Sequence, residues 1–291
     1  MSLDTFKRVA IVGRNHQLKS NQCIQALAQF LTKNQYDIVL EQHTADNAKA
    51  SDYPTCPAQN LSQYADILIV VGGDGSLLHA AQLALRQNLP IIGINRGTLG
   101  FLTDIHPNEL EIIHHMLKGQ YRLEQRFLLE ANLQPKHQDR QTVIALNDVV
   151  LMPGQIAHML DFKLSINQQF VCHQRADGLI ITTPTGSTAY ALSAGGPIIH
   201  PGLGAIALVP MLPHKLSSRP LVIDHNSHIE IHVESSKNSA PCISYDGIET
   251  IAIEHDSLIT IKRLPQVLKL LHPTHYDYFH TLRSKLGWEI K

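Results

Sequence analysis

Residues 66–76 read Asp-Ile-Leu-Ile-Val-Val-Gly-Gly-Asp-Gly-Ser (DILIVVGGDGS), the strongest strand signal in the chain followed at once by a glycine turn. A short, continuous apolar run bounded by turn residues reads as a strand buried on both faces. Past the glycines, Leu77, Ala80, Ala81 and Ala84 recur at helical spacing, so a helix is expected to begin near Ser76. Strand, turn, helix is the unit of a parallel sheet with crossover helices.

The same alternation extends to both sides. Upstream, residues 7–13 (KRVAIVG) form a buried run, then Ile24, Leu27, Ala28 and Leu31 mark a helix of about four turns. Residues 37–40 give a second short strand, while 47–60 are polar and proline-containing and read as a mobile loop. Downstream, 90–95 (PIIGIN) predict another strand and 107–118 another helix. From about Arg126 the period changes to two. Phe127, Leu129, Ala131 and Leu133 alternate, as do Phe162, Leu164 and Ile166, and then Ile229, Ile231 and Val233. That texture predicts antiparallel β structure. The expected fold is therefore an α/β N-terminal domain with a parallel sheet, followed by a β-rich, sandwich-like C-terminal domain. The expected division is 1–124, 125–268, and a tail at 269–291 that packs back on the first domain. No internal repeat or low-complexity segment interrupts it.

Composition excludes several function classes. Among 291 residues, 24 Lys+Arg stand against 25 Asp+Glu, a formal net charge of −1, and only 17% are charged, against roughly a quarter in an average domain. A nucleic-acid surface built on a basic face is not expected. With 44% hydrophobic residues the chain can fill a core, so disorder is not expected either. No apolar run approaches the roughly 18 residues of a membrane span, and the first residues, MSLDTFKRVAIVG, carry no signal peptide. Cys23, Cys56, Cys172 and Cys242 are scattered without a CxxC pair, as in free thiols of a reducing cytoplasm. Among 18 histidines, His114-His115 and the His272/His275 pair look superficially like metal ligands, but no HExxH is present and no metal residue is assigned.

Chemistry concentrates in three places. The first is Gly72-Gly73-Asp74-Gly75-Ser76, at the carboxyl edge of a parallel sheet, where ligands of α/β folds bind. Glycines bare the backbone N–H groups to an anion, the helix N-terminus adds its dipole, and the Ser76 hydroxyl can cap the helix. Asp74 is the odd member: it repels phosphate unless magnesium bridges the two or it takes a proton from an attacking hydroxyl. A tight strand–helix turn with an N-capping acid is the bland alternative. There is no GxxxxGK[ST], and no third glycine follows for a dinucleotide fingerprint. The second place runs from Arg175-Ala176-Asp177-Gly178 through a strand into Pro184-Thr185-Gly186-Ser187-Thr188-Ala189-Tyr190-Ala191-Leu192-Ser193. Hydroxyls at 185, 187, 188 and 193 suit a sugar or base edge, and Tyr190 offers a stacking face; a hydroxyl-rich turn with Tyr190 in the core is the alternative. The third is Asn147-Asp148, read as lying inside a strand. A carboxylate there suits the two hydroxyls of a ribose, and an edge-strand pair facing water is the alternative.

Taken jointly, 72–76, Asn147-Asp148, 175–178 and 183–197 resemble the signature of the bacterial NAD kinase family, and the likeness runs nearly end to end, through the LRSKLGW tail. GGDG alone is less specific, because lipid kinases and phosphofructokinase-like enzymes share it. The resemblance implies ATP-dependent phosphorylation of NAD to NADP at the 2′-hydroxyl of the adenosine ribose, in a cleft between two domains. It also implies a divalent cation, magnesium foremost, and a cytoplasmic homo-oligomer. It assigns Asp74 as proton acceptor and places Gly72, Gly73, Gly75 and Ser76 on the phosphate side. Asn147 and Asp148 then contact the adenosine and ribose, and His158, Arg175, Asp177 and Thr188, Ala189, Tyr190, Ala191, Leu192 and Ser193 contact the dinucleotide. Two departures stand out. Many relatives carry Glu where Asp148 stands, and a DGQ triplet where this chain reads Asp246-Gly247-Ile248. A lipid or sphingoid kinase sharing GGDG, and a nucleotide-sensing module without turnover, are the rival readings.

Overall fold

The computed structural model describes residues 4–13, 18–97, 100–134, 139–155, 158–234, 241–254 and 256–288. Residues 1–3 of the leader reading and 289–291 of the tail lie outside them. The chain divides into two compact units, Met1–Gln125 with Leu268–Lys291, and Arg126–Val267.

The first unit alternates strand and helix: β1 (Arg8–Gly13), α1 (Leu18–Lys33), β2 (Asp37–Glu41), α2 (Gln42–Ala48), β3 (Thr55–Cys56), α3 (Leu61–Tyr64), β4 (Ile67–Val71), α4 (Asp74–Arg86), β5 (Ile91–Ile94) and α5 (Leu110–Leu117). All sheet partners are parallel: β4 lies between β1 and β5, β2 pairs with β1, and β3 with β2. Every residue of β4 and β5 is buried, as strands covered on both faces require. One helical stripe of α1 (Ile24, Leu27, Ala28 and Leu31) packs with Val9, Ile11 and Leu40 in a single cluster. Each of the Ile, Leu and Val side chains contributes about 2 kcal/mol when fully buried. Residues 47–60 are not simply a loop. They contain the end of α2, the two-residue edge strand β3 and a 3₁₀ turn at Ala58–Asn60. The polar stretch is held by Leu40↔Thr55 and Glu41↔Cys56 pairing, a nonlocal contact that a polar run does not advertise.

The second unit is a sandwich. The chain enters it along β6 (Tyr121–Gln134), then forms β7 (Gln141–Ala145), β8 (Asp148–Pro153), β9 (Leu160–Ile166), β10 (Gln169–Ala176), β11 (Gly178–Thr182), the short α6 (Tyr190–Ser193), β12 (Ala205–Met211), β13 (Leu221–Asp224), β14 (Ile229–Val233), β15 (Pro241–Tyr245), β16 (Glu249–Ala252) and β17 (Leu258–Pro273). One antiparallel sheet runs β13-β12-β11-β8-β15-β16. Facing it, β9 pairs with β10 and β14, and β14 with β17. The alternating residues Phe162, Leu164, Ile229, Ile231 and Val233 meet Val149, Leu151, Leu179, Ile181 and Ile243 between the sheets. Ala191 and Ile199 cover the outer face of β8, β11 and β12 through Val150, Ile180, Ala207 and Val209. That cover is why β11 is buried along its whole length. No described helix is long and apolar enough to cross a membrane. The four cysteines are unpaired, and Cys23, Cys56 and Cys242 are buried.

The last part of β17 returns to the first unit, where Leu270 pairs with Ile91 of β5, and α7 (Tyr278–Leu286) follows, capped by the Asp277 carboxylate. His272 is wholly buried there. Its Nδ1 lies 2.8 Å from Asp104 Oδ2, its Nε2 3.5 Å from Glu124, and its ring stacks on Tyr276. Of the two histidines that look superficially like metal ligands, His272 is held in this ion-paired cluster and His275 is exposed. Burial opposes the imidazolium charge, but the hydrogen bonds and attraction of both carboxylates outweigh it and raise the His272 pKa. A raised folded pKa means the stabilisation is complete below the unfolded value of about 6.5 and is lost as pH rises through the folded value. We predict that His272→Gln lowers unfolding stability by about 3 kcal/mol at pH 6. The deficit should shrink as pH is raised, as read by urea denaturation across that range.

Candidate active site

The turn after β4 is built from bare backbone. The helix starts two residues earlier than its periodicity indicates: α4 begins at Asp74 with Gly73 as N-cap, and no side chain caps it. Ser76 is not the cap and Asp74 is not a capping acid. Ser76 instead folds back over Gly72, where a Cβ would meet its Oγ at 2.2 Å. Gly73 and Gly75 differ. A Cβ on either would meet nothing within 4 Å, and Gly73 has an ordinary φ of −93°. Neither chain packing nor backbone conformation requires glycine there, and the space at both is open. Asp74 is half-buried beside them, and its carboxylate is held from one side by the segment 101–103.

In the second unit, Asn147 and Asp148 do not lie inside one strand. Ala145 ends β7 and Asp148 begins β8. The break is made by Asp246, a hundred residues on. Its Oδ2 accepts from Leu146 N at 2.9 Å, and its Oδ1 accepts from Asn147 N at 2.7 Å and Asp148 N at 3.3 Å. Asp246 stands at φ +50° and Gly247 at φ +61°, turning β15 into β16. β8 is central in its sheet, so Asp148 is no edge residue; it is 4% exposed. No described residue donates a hydrogen bond to its carboxylate. Burial, with Asp246 nearby, pushes the Asp148 pKa up to about 7. Asp246 is pushed up by burial to about 6, against the three N–H groups that favour its charge. Three amides favour the charge of Asp246, and no described donor favours that of Asp148.

The loop after β11 closes on the same break. Thr182 Oγ1 and Thr183 N both donate to Asn147 O, at 3.0 and 2.9 Å, and a Cβ at Gly186 would stand 2.2 Å from that oxygen. The hydroxyls, however, largely face inward. Ser187 is wholly buried, donating to Pro184 O and accepting from Ile199 N. Thr185 is buried and accepts from Arg126 Nη1, and Thr188 donates to Thr185 O. Of the four hydroxyls read as ligand groups, the one exposed is that of Ser193. Tyr190 is 44% exposed, not core, whereas the Ala191 side chain is fully buried. Arg175 and Asp177 are separated from this loop by all of β11, about 13 Å at 3.3 Å per residue. Arg175 is exposed, 3.9 Å from Asp161. His158 and Asp177 are half-buried. The run that looked like one constellation thus occupies both ends of a strand.

Comparison with known proteins gives the family. The ATP-NAD kinase N-terminal domain matches residues 9–121 and the ATP-NAD kinase C-terminal domain residues 146–272. An NAD kinase of Coxiella burnetii is 50% identical over 289 residues, covering 99% of this chain and 97% of its own. The chain belongs to the ATP-NAD kinase family. An NAD kinase of Pseudomonas aeruginosa is 45% identical, covering 98% of this chain and 97% of its own. The crystal structure of yeast NADH kinase complexed with NADH superposes with a TM-score of 0.89 at 25% identity, covering 99% of this chain and 89% of that one. That of an Archaeoglobus fulgidus NAD kinase in complex with ATP gives 0.73, also at 25% identity, covering 95% and 99%.

Within an ATP-NAD kinase, the rival lipid-acceptor reading has no support: nothing in these likenesses points to it. The residue that sequence reasoning missed is Asp246, noted only as part of a departure from DGQ. Its signal was present in the Asp-Gly pair between two apolar runs, a hairpin turn in which Asp tolerates positive φ. We predict that Asp246→Asn destabilises the second unit by about 1–3 kcal/mol, because an amide turns a donor toward one of three buried N–H groups. Removing its charge should also bring Asp148 below its value of about 7, read by carboxyl-carbon NMR titration.

Proposed function

We propose that this chain transfers the γ-phosphoryl group of ATP to the 2′-oxygen of the adenosine ribose of NAD. Asp74 orients the 2′-hydroxyl and takes its proton as the new O–P bond forms and the bond to the β,γ-bridging oxygen breaks, releasing ADP. A carboxylate is too weak a base to strip a sugar hydroxyl beforehand, so proton transfer accompanies a loose transition state. The observation that supports this role is the position of Asp74 in the first turn of α4, flanked by Gly73 and Gly75 with open space at both. The N–H groups of such a turn suit phosphate oxygens.

Asp148 takes the ribose in this reading. A buried carboxylate without a described donor suits the ribose hydroxyl that Asp74 leaves free to donate, which supplies a hydrogen bond the protein withholds. Asn147, its backbone oxygen already engaged, contacts the adenosine through its side chain. Tyr190, Leu192, Ser193 and the backbone at Thr188, Ala189 and Ala191 line the dinucleotide, with Arg175, Asp177 and His158 as further contacts. Among the described residues no three His, Cys, Asp or Glu side chains converge to hold a metal ion. The divalent cation, magnesium foremost, would enter with ATP, whose phosphates would supply oxygen ligands and whose charge it would offset. We further propose a cytoplasmic homo-oligomer. That assembly follows the family resemblance, and sedimentation velocity tests it.

Asp74→Asn is expected to lower NADP formation by about 10²- to 10⁴-fold while calorimetric NAD binding survives; near-normal turnover would sink the proton-acceptor role. For Asp148 the sign follows from its raised pKa. An ionised Asp148 accepts from a ribose hydroxyl more strongly than a protonated one, so NAD affinity should rise up to about tenfold between pH 6 and pH 8. Asp148→Asn should bind more weakly and show no such rise.

A further inference from the structure

The carboxylate of Asp74 is not a free group at the helix start. Oδ1 accepts three hydrogen bonds, from Leu102 N at 3.1 Å, Thr103 N at 3.2 Å and Thr103 Oγ1 at 3.0 Å. Oδ2 accepts one, from Phe101 N at 2.8 Å. A carboxylate has about four lone-pair directions, two on each oxygen. Oδ1 is therefore saturated, and the remaining acceptor direction belongs to Oδ2.

The direction of the Thr103 hydroxyl is itself fixed. Asn95 is buried, and its Oδ1 accepts from Gly97 N at 2.7 Å, which identifies the other atom of the amide as nitrogen. That Nδ2 donates to Thr103 O at 3.3 Å and Thr103 Oγ1 at 3.2 Å. With a donor arriving from Asn95, the Thr103 hydroxyl points its own proton at Asp74 Oδ1. Thr103 is wholly buried, so water does not compete. The segment approaches Asp74 so closely that a Cβ on Gly100 would lie 2.1 Å from Oδ1 and 2.5 Å from Thr103 Oγ1. Its turn closes through Gly100 N to Thr103 O at 2.9 Å.

We infer that Thr103, oriented by Asn95, is a positioning residue of the phosphoryl transfer: it locks Asp74 so that Oδ2 alone is presented to the acceptor hydroxyl. The inference rests on Asp74 being the proton acceptor and adds which oxygen receives the proton. Oδ1 holds Asp74 in place, and Oδ2 hydrogen-bonds the 2′-hydroxyl, then binds its proton. Turning the carboxylate to offer Oδ1 would break all four bonds at once, so a single orientation is kept through the cycle.

The test compares Thr103→Val, which keeps the shape and removes the hydroxyl, with Thr103→Ser, which keeps the hydroxyl. In the full-length protein, Thr103→Val should lower kcat by about tenfold or more. KM for NAD and for ATP should stay within about twofold, since ground-state contacts are untouched. Thr103→Ser should recover most of the rate. Over the residual rate of Asp74→Asn, adding Thr103→Val should cost little more, because both act through one group. Wild-type kcat in Thr103→Val, a serine variant as slow as valine, or fully additive losses would each overturn the inference. If Thr103→Val fails to fold, Ser against Ala at position 103 asks the same question, and equal kcat in that pair overturns it. Full turnover in Asp74→Asn removes the proton-acceptor reading itself; an inactive Asp74→Asn beside a fully active Thr103→Val removes only the role of Thr103.

Discussion

A carboxylate that gathers backbone N–H groups sets the geometry of each unit. In the first, Asp74 collects the amides of Phe101, Leu102 and Thr103, tying the start of α4 to the segment that leaves β5. In the second, Asp246 collects those of Leu146, Asn147 and Asp148, ending β7 and starting β8. Both draw together residues far apart in sequence, and both satisfy donors that a broken strand or a tight turn leaves without partners. Charge-assisted bonds of this kind are about twice as strong as neutral ones, which suits them to positions where backbone order must be exact without regular secondary structure.

The two devices differ in what they leave over. Asp246 spends its charge on structure: three amides hold it, and the residue that benefits is its neighbour. Asp148 begins β8 in the orientation that break dictates, buried, with no described donor on its oxygens and burial working against its charge. A carboxylate so placed is disfavoured in its charged form unless something donates to it. The cost is tolerable where a ligand repays it. Asp74 combines the two roles, one oxygen given to structure and one acceptor direction left open.

The parts of this arrangement that sequence exposes are the local ones. β4, the glycine turn and α4 are legible because burial on both faces and a 3.6-residue period leave direct marks on residues 66–84. The alternation at Phe162 and Leu164 or Ile229 and Ile231 reports the inner face of a sandwich in the same way. What escaped is nonlocal. Residues 47–60 look like loop because β3 is two residues long and exists only through pairing with β2. Asn147-Asp148 look like strand interior because the residue that breaks the strand lies at 246. Ser187 looks like a ligand group, although its hydroxyl is consumed by Pro184 and Ile199. Arg175 and Tyr190 look like neighbours because a sequence does not show that a buried strand sets them at opposite ends. Hydroxyl-rich loops are ambiguous in principle: the same side chains that could bind a sugar also satisfy the loop's own backbone.

Near-neutral charge, seen in this light, is consistent with work on polyanionic substrates. A basic patch attracts phosphate over a Debye length of about 8 Å and attracts nucleic acid equally well. Helix-terminal N–H groups act only within their own turn, so they reward a phosphate that is already seated and offer little to one passing by. Bare glycines at 73 and 75 allow that close seating without adding a formal charge. In the proposed reaction the carboxylate of Asp74 would stand beside the phosphates because it is held: its orientation is fixed by four donors, three amides and a hydroxyl, that answer part of its charge. A free aspartate in the same place would swing away from incoming phosphate by rotating about its side chain. Anchoring is thus the condition under which an acid can remain in an anion site and still be available as a base.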